Sequence, residues 1–207
     1  MKILITGGAG FIGQNLSIHC RNNNVDFSVV DRSKENVSDL TKIFGTDKDI
    51  FCCDTSDALK WIEGGRFDVV IHLAAVPRVP YSIEHPVETT EENIVKVVEL
   101  LEACVKGKVK RFVFASSSSV YGNAKMFPVV EELPLHPISP YALQKKTAED
   151  FCGLYSSLYN LDTVCLRFFT VFGPLQTGDN AYATVICAWL DAVKNNTELK
   201  LFGDGHQ

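Results

Sequence analysis

The sequence runs to 207 residues, 46% hydrophobic and 22% charged, with a formal net charge of −5, enough apolar material for one substantial domain or one domain and part of another. The acidic balance and the lack of any face-forming run of Lys and Arg argue against a nucleic-acid or membrane-surface role, and no apolar run approaches membrane-spanning length. Seven cysteines (Cys20, Cys52, Cys53, Cys104, Cys152, Cys165 and Cys187) include no C-x-x-C pair and read as small buried hydrophobes of a reducing compartment; Met1 leads almost directly into a strand, leaving no room for a signal or transit peptide, so the cytoplasm is expected.

Lys2-Ile-Leu-Ile-Thr6 is an apolar strand that runs into Gly7-Gly8-Ala9-Gly10-Phe11-Ile12-Gly13 and then into a helical pattern through Cys20. Gly8, Gly10 and Gly13 satisfy G-x-G-x-x-G in the context it requires, strand before and helix after. The tight turn needs positive φ, a pyrophosphate needs bare backbone beside it, and the helix must sit close on the strand. The helix N-terminus adds unpaired N–H groups and a partial positive charge. Gly7, Gly10, Phe11, Ile12 and Gly13 are therefore candidate dinucleotide-binding residues. The next apolar run, Phe27–Val30, closes at Asp31, where a carboxylate accepts hydrogen bonds from ribose hydroxyls and repels a 2′-phosphate; NAD is expected over NADP. Arg32, next to it, is of the type that accommodates such a phosphate.

Further along, Ile50–Cys52, Phe67–His72, Arg111–Ala115 and Thr163–Arg167 read as strands, and Glu35–Phe44, Ala58–Glu63, Val87–Val105 and Tyr141–Tyr159 as helices. The alternation predicts an α/β fold: a doubly wound parallel sheet, helices on both faces, ligands outside the carboxyl ends of the strands. Pro86 suits the start of the helix over 87–105, whose second half (Ile94, Val95, Val97, Val98, Leu100, Leu101) is apolar beyond one stripe. That surplus points to a homodimer formed through this helix and the one carrying Tyr141.

The strand at 111–115 delivers Ser116–Ser119 to the carboxyl edge of the sheet, where hydroxyls can meet a ligand. Ser139 and Pro140 then form a natural helix start, as N-cap and first helical residue, so Tyr141 and Lys145 lie at i and i+4 on one helix face. A phenol is a poor base at neutral pH. An ammonium about 5 Å away at an effective dielectric near 20 is worth roughly 3 kcal/mol, or about two pKa units, and a nicotinamide cation would add to it. A phenol so tuned is suited to general-base catalysis, with Ser117 or Ser118 holding the reacting hydroxyl and stabilising its developing oxyanion.

These segments, together with Cys53-Asp54, His72-Leu-Ala-Ala75, Asn93, Ser116-Ser-Ser-Ser-Val-Tyr-Gly122 and Leu166-Arg-Phe-Phe-Thr-Val-Phe-Gly-Pro174, give the chain its likeness to a known family. It resembles the extended short-chain dehydrogenase/reductases of the NAD-dependent nucleotide-sugar epimerase/dehydratase family, with UDP-sugar 4-epimerases as the nearest pattern. The resemblance implies Ser117, Tyr141 and Lys145 as catalytic residues. It places Asp54 near the adenine, Ala74 and Ala75 under the pyrophosphate and Asn93 near the cofactor, and it implies a homodimer. Dehydratases of the family resemble Thr-Asp-Glu at the catalytic stretch; here those positions are Ser117, Ser118 and Ser119, which disfavours dehydration and leaves the latter two as substrate-binding candidates. Thr170 resembles the position in uronate epimerases, yet Leu175-Gln176-Thr177 lacks the arginine that would meet a uronate carboxylate. Val79-Pro-Tyr-Ser82 and Ala181-Tyr-Ala-Thr-Val-Ile186 are more similar to epimerases acting on UDP-N-acetylhexosamines, with Arg78 a candidate contact to sugar or phosphate. By the same likeness, residues 1–167 form a Rossmann NAD-binding domain carrying the catalytic residues, and 168–207 begin a substrate-binding portion that is incomplete, stopping inside a Gly-Asp-Gly-x-Gln pattern at Leu201–Gln207.

Overall fold

The computed structural model describes residues 1–176 and 184–199, and the chain divides into two compact units, Met1–Phe169 and Thr170–Gln207. In the first unit, β1 (Lys2–Thr6), β2 (Asp26–Asp31), β3 (Ile50–Cys52), β4 (Val69–His72), β5 (Arg111–Ser117) and β6 (Asp162–Phe168) make one sheet in the order β3-β2-β1-β4-β5-β6. Every neighbouring pair is parallel. The strand order reverses between β1 and β4, which opens a crevice at their carboxyl ends. The helices between strands are α1 (Phe11–Asn22), α2 (Lys34–Phe44), α3 (Leu59–Glu63), α4 (Val79–Glu84), α5 (Pro86–Thr90), α6 (Lys96–Lys106) and α7 (Pro140–Tyr159).

The strands are apolar on both sides because both faces are covered. Leu4, Val30, Val70, Phe112 and Phe114 pack with Val97, Leu100, Leu101 and Cys104 of α6 and with Ala148, Cys152 and Tyr155 of α7. On the opposite face Ile3 and Ile5 meet Cys20 and Leu16 of α1, while Val29 and Ile50 meet Leu40 and Phe44 of α2. Most of the apolar second half of the 87–105 segment is thus consumed by its own domain; Val95 remains exposed.

Local signals place the helix ends. The Ser33 hydroxyl accepts from the Asn36 N–H to start α2, and Gly45, at φ +66°, ends it in the left-handed conformation. The Ser139 hydroxyl accepts from the Ala142 N–H at 3.1 Å and Pro140 follows as the first helical residue of α7. Three expectations are revised. The helix expected over 87–105 is α5, then a π-helical turn at Glu91–Val95, then α6; α4 adds a turn where none was foreseen; and β5 runs two residues further, so that Ser116 and Ser117 pair with Arg167 and Phe168.

In the second unit, α8 (Val185–Lys194) is capped by the Thr184 hydroxyl and buries Cys187. Thr177, the Ala181–Ala183 part of the 181–186 stretch and the Leu201–Gln207 pattern lie outside the described residues. Among the described residues no helix is long and apolar enough to cross a membrane.

Candidate active site

The glycine turn is built by close approach. Gly7 has φ +67°, and a Cβ there would meet the Ala74 nitrogen at 2.6 Å; one on Gly13 would collide with the Gly7 carbonyl oxygen. The Gly7 N–H donates to the Val30 carbonyl at 2.8 Å, tying the turn to β2. α1 then begins with no side-chain cap and no acidic residue in its first turn, so its leading N–H groups keep their capacity for an anion. A cavity of about 390 Å3 opens there, with Gly7, Gly10, Phe11, Ile12, Gly13, Asp31, Asp54, Ala74, Ala75 and Ala115 in its wall. A bare glycine turn, an uncapped helix start and a carboxylate across the cavity fit a dinucleotide, with the phosphates at Gly10–Gly13 and a ribose at Asp31.

Asp31 is oriented by the backbone: its Oδ2 accepts from the Ala9 N–H at 3.1 Å and its Oδ1 from the Ser33 N–H at 2.9 Å. Asp54 is more heavily engaged. It caps the 3-10 turn Thr55–Ala58 through Ser56 and receives Lys96 Nζ on both oxygens, at 2.9 and 2.7 Å. Burial pulls its pKa upward, but the Lys96 bonds and charge outweigh that and hold it below the ordinary carboxylate value. Asn93, expected beside the cofactor, is a buried brace. Its Oδ1 accepts from the Val76 N–H at 2.9 Å and its Nδ2 donates to the Val76 carbonyl and to Gln144 Oε1, linking the Ala74–Ala75 loop to α7.

The catalytic candidates converge where β5 meets α7. Tyr141 is anchored by its own N–H, which donates to Ser82 Oγ at 3.1 Å, so Ser82, from the stretch likened to N-acetylhexosamine epimerases, supports α7. Ser117 favours the ionised form of the Tyr141 phenol, and its Oγ accepts from the Ser119 N–H at 3.2 Å. Lys145 is buried, with Nζ donating to the Ala115 carbonyl at 2.8 Å and standing 5.9 Å from the Tyr141 ring centroid. Because Ala115 also lines the cavity, the cluster abuts the dinucleotide site.

The titration of the pair departs from the sequence argument. Burial raises the Tyr141 phenol, Ser117 opposing it, and burial depresses Lys145 from 10.5 to about 8. With Nζ on the Ala115 carbonyl and 5.9 Å from the ring centroid, the ammonium does not by itself outweigh the burial of the phenol.

Behind the cluster are residues that sequence reasoning left without a role. Ser116 Oγ donates to Glu149 Oε1 at 2.5 Å, and the Arg167 guanidinium grips both Glu149 oxygens while donating to the Tyr121 hydroxyl and the Glu131 carbonyl. This clamp joins β5, β6 and α7. On β4, His72 Nδ1 lies 2.6 Å from Thr6 Oγ1, just before the glycine turn; burial drops its pKa to about 3, the nearby Lys145 charge adding to the effect, so it serves as a neutral brace. Of the substrate candidates, Ser118 follows Ser117 in a short 3-10 turn, Ser119 Oγ is buried without a hydrogen-bond partner, Arg78 is exposed at the start of α4, and Thr170 is exposed at the start of the second unit.

A parallel doubly wound sheet with this cavity at its switch point, and a Ser/Tyr/Lys cluster against the cavity wall, define a dinucleotide-dependent protein of the short-chain dehydrogenase/reductase type. The model of the NAD dependent epimerase/dehydratase family matches residues 3–207, and the chain belongs to that family; NAD is its cofactor. A putative UDP-glucose 4-epimerase of Methanocaldococcus jannaschii is 35% identical over 210 residues, covering 99% of this chain and 67% of the relative. Among solved structures, a UDP-N-acetylglucosamine 4-epimerase from Methanobrevibacter ruminantium in complex with UDP-N-acetylmuramic acid superposes with a TM-score of 0.88 at 33% identity, covering 100% of this chain and 66% of that one. A UDP-glucuronic acid 4-epimerase from Bacillus cereus in complex with UDP-glucuronic acid and NAD gives 0.83 at 33% identity, covering 100% and 67%. The chain spans about two thirds of the length of each of these proteins.

Proposed function

We propose that the chain performs NAD-dependent 4-epimerisation of a UDP-sugar. The observation that carries this reading is the grouping of Ser117 and Tyr141 with the buried Lys145, whose Nζ holds the Ala115 carbonyl at the cavity wall, with serine rather than a carboxylate at all of 117–119. NAD, when bound, supplies the hydride acceptor and donor and, in its oxidised form, a positive charge. Tyr141 accepts the proton of the sugar 4-hydroxyl as carbon 4 is oxidised and returns it after the keto-sugar has turned over. Ser117 holds that hydroxyl and donates to the oxygen as charge develops on it. Lys145 favours the phenolate across the ring face and keeps Tyr141 in register through its bond to Ala115. The N–H groups of Gly10–Gly13 take the pyrophosphate and Asp31 the ribose hydroxyls.

For the sugar, UDP-N-acetylhexosamines and UDP-glucose/galactose are the proposed substrates. The lack of an arginine at Leu175–Thr177 speaks against a uronate, and the buried, unsatisfied Ser119 hydroxyl is a group that a sugar hydroxyl would satisfy. The proposed working unit is a homodimer through α6 and α7, supported by Leu143, Leu154 and Leu158, which stand exposed on one face of α7, and by Val95 on the turn before α6.

The test is incubation with UDP-glucose and UDP-N-acetylglucosamine deuterated at carbon 4, followed by NMR. Inversion with the deuterium retained, and no net accumulation of reduced nicotinamide, is the expected result. Deuterium lost to solvent, or stoichiometric reduction of NAD, would point to different chemistry and overturn the proposal.

A further inference from the structure

The adenosine end of the cavity is rimmed by a relay of ion pairs. Arg32 follows Asp31 at the end of β2, and its Nη1 lies 3.0 Å from Glu92 Oε2 on the π-helical turn. The other oxygen of Glu92 is 2.9 Å from Lys96 Nζ, which also holds Asp54 at 2.7 Å. Asp31, Arg32, Asp54 and Glu92 all line the cavity. Three carboxylates therefore face two cations, and both cations are engaged: Lys96, 15% exposed, between Asp54 and Glu92, and Arg32, 56% exposed, with Glu92.

We infer that Glu92 is a specificity-determining residue for the dinucleotide, engaging the Arg32 guanidinium that a ribose 2′-phosphate would need and adding its negative charge to that of Asp31. A 2′-phosphate brings close to two negative charges to a rim that already carries an excess of one, and the cation adjacent to Asp31 is the group that would have to receive it. With Glu92 in place, that cation must first leave a carboxylate partner. The π-helical turn is what aims the side chain: it interrupts the helical register between α5 and α6 and carries Glu92 and the Asn93 brace together. Since Arg32 is largely solvated, the ion pair itself is of modest strength; the size of the effect comes from removing a competing partner and a repelling charge at once.

The experiment is calorimetric titration of NAD, NADP and 2′,5′-ADP into the wild-type protein and its Glu92→Gln, Arg32→Ala and double variants. Glu92→Gln keeps shape and hydrogen-bonding capacity but removes the charge, and is expected to raise the affinity for NADP relative to NAD by about five- to tenfold, as loss of a solvated pair plus a like charge implies. The double variant loses the larger part of that gain, the part carried by the freed guanidinium, and keeps about twofold from the removed charge, while Arg32→Ala alone leaves the NADP-to-NAD ratio within about twofold of wild type. An unchanged ratio in Glu92→Gln, or a gain that survives undiminished in the double variant, overturns the inference. So does a fall of about tenfold in the ratio for Arg32→Ala, since the guanidinium would then already serve the 2′-phosphate despite Glu92; that arm decides the matter even if Glu92→Gln does not fold.

Discussion

The ammonium of Lys145 is costly to enclose. Unfolded, the amine binds its proton at the ordinary 10.5; folded, burial lowers this to about 8. Between those values the unfolded chain holds more protons, so this group makes stability rise with pH, and below pH 8 the whole penalty stands, on the order of 3 kcal/mol. Lys145→Met should therefore raise stability at pH 7 by about 1–2 kcal/mol, once the lost bond to the Ala115 carbonyl is allowed for, and the gain should disappear near pH 10.5. Urea unfolding at pH 7 and 10 checks this; a variant less stable than wild type at pH 7 would contradict it. Activity should be lost throughout, since a functional charge is held against the preference of the core. The Tyr141/Lys145 spacing was legible from i, i+4 geometry alone. Where the ammonium points was not, because its partner, Ala115, lies 30 residues away on β5.

The end of β5, which carries Ser117, is fastened to α7 and β6 by Glu149 and Arg167. The Glu149 side chain is 8% exposed and that of Arg167 21%, so removing one partner strands a charge. Glu149→Ala should cost about 3 kcal/mol, and Glu149→Leu combined with Arg167→Met should cost less than either single change. Equilibrium unfolding of the four proteins measures the coupling; simple additivity would mean that the clamp does not act as a unit. The glycine turn makes the opposite demand, for emptiness. Gly13→Ala places a methyl against the Gly7 carbonyl oxygen and should weaken NAD binding by more than about tenfold in a fluorescence titration. The strands and most helix ends were readable because hydrophobic alternation and capping residues are local signals. The π-helical turn at Glu91–Val95 was not, as nothing in Pro86–Val105 breaks the helical pattern. Its position accompanies the long-range bonds from Asn93 to Val76 and from Lys96 to Asp54.

The apolar surplus expected in the 87–105 segment is reduced by internal packing, while α7 contributes Leu143, Leu154 and Leu158 to the surface. The proposed homodimer predicts a sedimentation coefficient of two subunits at micromolar concentration, and Leu154→Arg with Leu158→Glu should return the protein to a monomer; a wild-type monomer under the same conditions would remove that part of the account. Catalysis itself rests on the Tyr141 phenol. Its most direct test is the rate of carbon-4 inversion in Tyr141→Phe, measured by NMR on the UDP-sugar that the wild-type protein turns over. The rate should fall by about 10²–10⁴-fold with NAD affinity little changed, the range spanned by general acid–base catalysis; turnover as fast as wild type would rule out Tyr141 as the base.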